Sequence, residues 1–173
     1  MAFFSPTYYR RRITDITPSW LTAQGVKGIL LDIDNTLTTH DNPALSPEIA
    51  AWLDAVRSLG IPMTVVSNNR EDRVRPFAEK IGLGYEAHAG KPLARGYKAA
   101  VAKLGILPEE CLAIGDQIFT DIVGANLARI PCVLLEPIEP EVEQKFIVFK
   151  RFWERLLLAS PKRRKKKRAD YGE

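Results

Sequence analysis

With 173 residues, 46% of them hydrophobic, the chain can build one packed domain but contains no apolar stretch long enough to cross a bilayer. Two histidines, and two cysteines without metal-type spacing, exclude a histidine- or cysteine-rich metal centre and predict reduced core thiols in a cytoplasmic protein. The net charge of +4 is concentrated in residues 162–168, which are all basic, whereas residues 1–161 contain 18 basic and 19 acidic residues, so a strongly basic body is excluded.

Strands and helices alternate along the central part of the sequence. Residues 28–33 form a short apolar run typical of a strand buried on both faces, and Ser46-Pro47 starts a helix that Gly60 ends. The remaining predicted elements are a strand over 62–66, a helix over 71–81, a helix ending at Leu104, a strand over 111–114, a helix over 120–129 and a strand over 132–135. This order predicts an α/β fold, a Rossmann-like three-layer sandwich with helices on both faces of a parallel sheet.

The pattern changes near the C-terminus. Aromatic residues and leucines share one broad helical face and predict an amphipathic helix over 141–160, which either packs on the sheet or lies in a membrane interface. The basic run predicts a disordered tail over 161–173 that could bind RNA, the ribosome or anionic lipid. We assign residues 1–27 to an N-terminal extension and residues 28–140 to the core.

Four polar residues stand at or beyond the ends of predicted strands. Asp32, Ser67 and Asp116 each follow a strand, and Lys91 lies in a nearby loop. Because the carboxyl ends of the strands in an open parallel sheet form the ligand crevice, we expect the four side chains to converge there. Any one of them alone is more often a turn, cap or surface residue, so the set in this order carries the prediction.

Asp32 and Asp34 leave a buried strand two positions apart and can face one small volume. Two carboxylates there are unfavourable unless a cation joins them, and Mg²⁺ prefers oxygen ligands and phosphate substrates. Asp32 could then attack phosphorus, while Asp34 could protonate the leaving alcohol and later deprotonate the hydrolytic water. Ser67 could hydrogen-bond a phosphoryl oxygen, and Lys91 could neutralise the developing charge.

The segment that begins with Gly115 supplies further carboxylates. Asp116 and Asp121 are expected to help hold the metal, and Gly115 is expected to allow a sharp turn of the backbone. Asn68 by itself is typical of a turn, but beside the predicted phosphate-binding serine it joins Thr36 as a candidate substrate-binding residue.

Taken together, Asp32-x-Asp34-x-Thr36, Ser67, Lys91 and Asp116-x4-Asp121 resemble the four motifs of the haloacid-dehalogenase-like phosphatase superfamily. This resemblance implies a Rossmann-like core and phosphatase chemistry, because dehalogenase members normally lack the second aspartate of the first motif. It also implies Mg²⁺ on two carboxylates and a backbone carbonyl, with Asp121 reaching the metal through water. The residues assigned to the metal are Asp32, Ile33, Asp34, Asp116 and Asp121.

A closer resemblance covers most of the chain. Residues 13–18, 25–28 and 66–69, and the pattern Gly115-Asp116-Gln117-x2-Thr120-Asp121-x2-Gly124-x-Asn126, are similar to the YqeG family. That family belongs to subfamily IIIA and is related to phosphatidylglycerophosphate phosphatases. The resemblance implies an anionic phospholipid substrate, phosphatidylglycerophosphate. The cationic and aromatic ends of the chain could then approach a bilayer, which predicts peripheral contact with the inner membrane face.

The gaps on either side of Ser67 are too short to hold a cap domain, so a haloacid-dehalogenase-like core without a cap is expected. An open site suits a bulky or membrane-held ester better than a small metabolite. Two alternatives remain: a phosphatase for a protein or nucleic-acid phosphate, and a ribosome- or membrane-binding module with a relict site. Intact Asp34, Lys91 and Asp116 favour an enzyme.

Overall fold

The computed structural model describes residues 3–39 and 44–138. The elements in chain order are β1 (Tyr8–Arg10), α1 (Pro18–Ala23), β2 (Gly28–Leu31), α2 (Pro47–Ser58), β3 (Met63–Val66), α3 (Glu71–Lys80), β4 (Gly84–Glu86), α4 (Ala94–Leu104), β5 (Cys111–Gly115), α5 (Val123–Leu127) and β6 (Cys132–Leu135). Short 3₁₀ turns occupy Ile13–Asp15 and Pro108–Glu110, and a π-helical turn, Ile118–Ile122, leads into α5.

The six strands form one sheet in the order β1-β6-β5-β2-β3-β4, and all neighbouring strands run parallel. At its centre, Leu30 of β2 pairs with Ala113 of β5 on one side and with Thr64 of β3 on the other. Parallel strands end at the same edge of a sheet, so the segments after β2, β3 and β5 meet there. The predicted α/β Rossmann-like fold is confirmed.

Alternating residues of the central strand face two separate cores, as the period of a strand requires. Ile29 and Leu31 belong to one core with Trp52 and other residues of α1, α2 and α3. Leu30 belongs to the opposite core with Tyr97 and other residues of α4 and α5. Helices therefore cover both faces and form a three-layer sandwich.

The helix boundaries follow the signals in the sequence. The Ser46 hydroxyl accepts a hydrogen bond from the Ile49 amide at 3.3 Å, and Pro47 is the first residue of α2. Gly105 follows α4 in the left-handed conformation, with a φ of 66°. The predicted helix over 71–81 corresponds to α3.

The two edge strands carried no recognisable pattern because each has three residues. β1 lies in the stretch assigned to an N-terminal extension, and it joins the sheet by pairing Tyr8 with Val133. The helix predicted over 120–129 begins earlier, as the π-helical turn at Ile118.

Several predictions concern residues that the structure does not describe. The amphipathic helix (141–160) and the basic tail (161–173) lie outside the described residues, as do positions 139–140 of the assigned core. Among the described residues, no helix is long and apolar enough to cross a membrane. The helices and strands that the described residues form between β2 and β4 are α2, β3 and α3.

Candidate active site

A cluster of charged side chains lies where β2 and β5 end. The Lys91 ammonium donates hydrogen bonds to Asp32 Oδ1 at 2.5 Å and to Asp121 Oδ1 at 2.7 Å. One carboxylate oxygen from each of Asp32, Asp116 and Asp121 lies within 4.8 Å of the others. We call these four residues the Lys91 cluster. The structure brings together residues from three of the sequence segments that were predicted to converge.

The Lys91 cluster carries more negative than positive charge in a largely buried position. Only 3% of the Lys91 side chain and 10% of the Asp32 side chain are exposed. Burial raises the pKa of Asp32 to about 7, although the Lys91 ammonium acts in the opposite direction. Burial also disfavours the lysine charge, but Asp121 and Asp32 outweigh it and raise the Lys91 pKa well above its ordinary value.

The donor set of the Lys91 cluster suits a divalent metal ion. Three carboxylates facing one ammonium leave an excess of buried negative charge, which a bound cation would balance. Carboxylate oxygens are the ligands that hard cations such as Mg²⁺ prefer. The cluster could therefore hold a metal through Asp32, Asp116 and Asp121.

The position of Asp121 depends on its own π-helical turn and on the neighbouring Gly115, which has no side chain. Its second oxygen accepts a hydrogen bond from the Gln117 amide at 3.0 Å. A Cβ atom at Gly115 would lie 2.5 Å from Asp121 Cγ, far inside van der Waals contact. Gly115 is therefore required because Asp121 packs directly against its backbone.

Ser67 and Asn68 follow β3 and have different contacts. Ser67 is 2% exposed, and its Oγ accepts the Asn69 amide at 3.1 Å, which leaves the hydroxyl hydrogen available for donation. Asn68 Nδ2 donates to the Lys91 carbonyl at 2.9 Å, and Asn68 Oδ1 accepts the Lys91 amide at 2.6 Å. Asn68 thus holds the backbone of the catalytic lysine candidate, and its predicted contact with substrate stays a prediction.

Asp34 lies beside the Lys91 cluster and is held by two donors of its own. Asn69 Nδ2 donates to one carboxylate oxygen at 2.7 Å, and the Arg73 guanidinium donates to the other at 2.7 Å. The Asp34 side chain is 18% exposed, and its charge contributes to the raised pKa of Asp32. The predicted roles of Asp34 in proton transfer and metal binding stay predictions.

The loop after Asp32 folds into a tight turn around one carbonyl. The Ile33 carbonyl accepts backbone hydrogen bonds from Thr36 at 3.3 Å, Leu37 at 2.9 Å and Thr38 at 3.1 Å. These amides compete with the predicted metal contact of that carbonyl, which stays a prediction. The Thr36 hydroxyl is buried and has no hydrogen-bond partner among the described residues, so it could still meet a substrate oxygen.

The contacts that orient Asp34 were not predicted from the sequence. Arg73 lies in the first turn of α3, where the helix dipole disfavours a cation, and this unfavourable placement was an available signal. The contact of Asn69 had no comparable signal, because an asparagine after a strand is also typical of a turn.

Comparison with known proteins places the chain in a family. Residues 39–129 match the family model described as haloacid dehalogenase-like hydrolase, and the chain belongs to this family. The match contains Ser67, Lys91, Asp116 and Asp121, whereas Asp32 precedes it. Within the family, the chain is 37% identical over 163 residues to a probable phosphatase, YqeG, of Bacillus subtilis, with 94% of both chains covered. The resemblance to the YqeG family is confirmed.

Two further relatives are phosphatases. The chain is 30% identical over 137 residues to phosphatidylglycerophosphate phosphatase 1 of Arabidopsis thaliana. This match covers 74% of this chain and 39% of that protein. It is 31% identical over 110 residues to a phosphoserine phosphatase of Thermus thermophilus, with 56% of this chain and 44% of that protein covered. The chain is a phosphoric monoester hydrolase of the haloacid dehalogenase-like class.

Solved structures share the fold at low sequence identity. NagD from E. coli K-12 has a TM-score of 0.55 and 12% identity over 66% of this chain and 90% of that chain. An uncharacterised protein from Listeria monocytogenes has a TM-score of 0.56 and 19% identity over 69% of this chain and 85% of that chain. These similarities support the fold and carry no statement about substrate.

Proposed function

We propose that the protein is a Mg²⁺-dependent phosphomonoesterase that forms an aspartyl-phosphate on Asp32. The observation that carries the proposal is the Lys91 cluster, in which a carboxylate at the end of the central strand meets an ammonium and two further carboxylates. A nucleophile beside a fixed cation, with donors for a metal, is the arrangement that phosphoryl transfer needs.

In the first half of the reaction, the oxygen of Asp32 forms a bond to phosphorus, and the bond between phosphorus and the leaving alcohol breaks. Lys91 fixes the Asp32 carboxylate and neutralises charge on the transferring group. Ser67 donates a hydrogen bond to a phosphoryl oxygen, and Asp34 gives its proton to the departing alkoxide. Mg²⁺, held by Asp32, Asp116 and Asp121, would neutralise charge on the phosphoryl oxygens.

In the second half, Asp34 accepts a proton from water, and the water oxygen attacks phosphorus. The bond between phosphorus and Asp32 breaks, inorganic phosphate leaves, and the carboxylate is restored. Asn69 and Arg73 hold the Asp34 carboxylate in one orientation once it has given up its proton. The two roles of Asp34 then follow each other without a change of residue.

The mechanism is tested by replacing each carboxylate with its amide. Asp32→Asn should abolish phosphate release, because an amide cannot form the acyl-phosphate, and EDTA should inactivate the wild type until Mg²⁺ is added. Asp34→Asn should lower kcat by roughly 10²–10⁴-fold, which is the usual scale of general acid–base help. An Asp32→Asn variant that retains turnover, with deamidation excluded by mass spectrometry, would contradict the mechanism.

For the substrate, we propose phosphatidylglycerophosphate, whose terminal phosphate is removed to give phosphatidylglycerol. The similarity to the Arabidopsis phosphatase supports this choice. The described residues also form no cap domain over the site, which leaves room for a bulky lipid. The terminal monoester presents oxygens to Ser67 and Lys91, whereas the second substituent of the diester in the same lipid would block them.

The substrate proposal is tested by comparing kcat/KM for the lipid in mixed micelles with kcat/KM for glycerol 3-phosphate and small sugar phosphates. A higher value for the lipid is expected. An equal or lower value rejects the lipid and leaves the general phosphatase activity standing. Release of phosphate from a phosphorylated protein or an RNA end at higher efficiency would favour the alternative substrates.

We also propose that the enzyme works in the cytoplasm and contacts an anionic membrane through its basic C-terminal residues. Each basic residue near an anionic surface contributes about 1 kcal/mol to binding. Deleting residues 161–173 should weaken sedimentation with anionic liposomes and leave turnover of a soluble substrate unchanged. Unchanged sedimentation would contradict the membrane contact, and salt-dependent binding of RNA by the same residues would favour RNA or the ribosome as the partner.

A further inference from the structure

A cavity of about 680 Å³ opens beside the loop that follows Asp32. We call it the side cavity. Its walls come from the segment after β1, the loop after β2, the start of α2 and the segment after β6. Asn35 and Thr36 line it, so it adjoins the nucleophile loop, while the residues of the Lys91 cluster are not part of its wall.

The edge strand β1 places two arginines at this cavity. β1 runs parallel to β6, with Arg10 opposite Leu135, so the chain leaves both strands at the edge of the sheet where β2 also ends. Arg11 and Arg12 follow β1 and line the cavity. The Ile138 amide donates to the Asn35 carbonyl at 3.1 Å and ties the segment after β6 to the nucleophile loop.

Two glutamates also line the side cavity, and both have donors close by. Glu136 accepts a hydrogen bond from the Tyr9 hydroxyl at 2.9 Å and lies 3.6 Å from Arg11 Nε. Glu48 lies in the first turn of α2, where its own backbone amide and the Ser46 hydroxyl lower its pKa. Both glutamates therefore have donors of their own, and the wall contains as many arginines as glutamates.

Arg11 lies near Glu136, so Arg12 is the arginine of the wall that could contact a bound anion. Its backbone amide donates to Asp15 Oδ2 at 3.0 Å, which fixes the residue at the start of a 3₁₀ turn. Within the described residues its guanidinium forms no ion pair, and it adds only the weakest of the effects that lower the pKa of Glu48. A fixed backbone with an exposed guanidinium that forms no ion pair with another described residue suits recognition of an anion.

We infer that the side cavity binds a second anionic group of the substrate, on the leaving-group side of the reacting phosphate, and that Arg12 contacts it. The inference rests on the proposed phosphatase function and gives the phosphodiester of the proposed substrate a contact of its own. The hydroxyls of Thr14 and Thr38 in the same wall offer hydrogen bonds to a glycerol linker between the two phosphates.

The test uses two soluble substrates that differ in the phosphodiester. Glycerophosphoglycerol phosphate contains both phosphates without acyl chains, and glycerol 3-phosphate contains the monoester alone. The ratio of their kcat/KM values should favour the diester-containing substrate in the wild type and should fall about tenfold in Arg12→Gln, the scale of one charged hydrogen bond. Arg75→Gln, which removes an exposed arginine of α3 paired with Glu79 at 4.0 Å, is the matched control and should keep the wild-type ratio.

A binding measurement separates this inference from the proposed function. Glycerophosphoglycerol, which has the diester and no monoester, should bind the wild type in calorimetry and bind Arg12→Gln about tenfold more weakly. A wild-type ratio near one, or equal binding by Arg12→Gln and the wild type, overturns the subsite. Loss of binding in Arg12→Gln together with no hydrolysis of either substrate would retain the subsite and reject the phosphatase proposal.

Discussion

Replacing Lys91 by methionine removes a buried positive charge while keeping a side chain of similar length. The change leaves Asp32 and Asp121 without the ammonium that donates a hydrogen bond to each of them. Their carboxylate oxygens would still lie within 4.8 Å of each other and of Asp116. Removing one partner of a buried ion pair costs about 3–5 kcal/mol, because the remaining charge stays desolvated. For a chain of this size, that loss corresponds to a melting temperature lower by about 6–20 °C.

The assay is urea and thermal unfolding in EDTA, so that bound metal does not hide the effect. Lys103→Met is the matched control, because Lys103 lies 2.6 Å from Glu86 with 58% of its side chain exposed. An exposed pair contributes about 0.2–1 kcal/mol, so the control should remain close to the wild type. The reasoning is refuted if Lys91→Met loses no more stability than Lys103→Met.

The stability of the wild type should also depend on pH through the buried Asp32 carboxyl. Burial raises the pKa of Asp32 from 3.8, its value as an unperturbed carboxyl, to about 7 in the folded protein. Between these values the folded protein keeps a proton that the unfolded chain releases, so the contribution of Asp32 to stability decreases as the pH rises from about 4 to 7. Mg²⁺ should therefore stabilise the protein more at pH 8 than at pH 5, which thermal unfolding with and without Mg²⁺ can measure.

Three further predictions concern single side chains. Gly115→Ala should cost about 1–3 kcal/mol and weaken Mg²⁺ binding in calorimetry, because the new Cβ would lie 2.5 Å from Asp121 Cγ; unchanged binding would contradict this. Arg73→Gln should lower kcat by about tenfold through loss of the 2.7 Å contact with Asp34, while its 44% exposed side chain keeps the stability change below about 1 kcal/mol. Native Cys111 should resist iodoacetamide at pH 8 by mass spectrometry and react in urea, because burial raises its pKa to about 11.

The central part of the fold could be predicted because its elements are long enough to show a pattern. β2, β3, β5 and β6 appear in the sequence as apolar runs, and all four residues of β2, β3 and β6 are buried. The start of α2 could be predicted from Ser46-Pro47, whose capping contact is present. The edge strands escaped prediction because three residues cannot establish a period.

The sequence indicates which residues gather at the end of the sheet, but it does not indicate their hydrogen bonds and packing contacts. Sequence order indicates which strands end near one another, but it does not say which side chain bonds which. Gly115 illustrates the difference: a glycine beside Asp116 suggested a sharp turn, whereas the structure requires it because Asp121 packs against the backbone. A close approach of this kind depends on the path of a later segment, which local sequence does not contain.

The short strand β4 explains how Lys91 reaches Asp32. β4 pairs with β3, and the pairing continues past its end, where the His88 amide donates to the Asn69 carbonyl and the Ala89 amide donates to the Ser67 carbonyl. The two segments after β3 and β4 thus run side by side along the carboxyl edge of the sheet. Asn68 then closes this pairing by bonding both the amide and the carbonyl of Lys91. The serine and lysine motifs, distant in sequence, are therefore parts of one hydrogen-bonded unit, so that a change at Asn68 acts on the nucleophile through the position of Lys91.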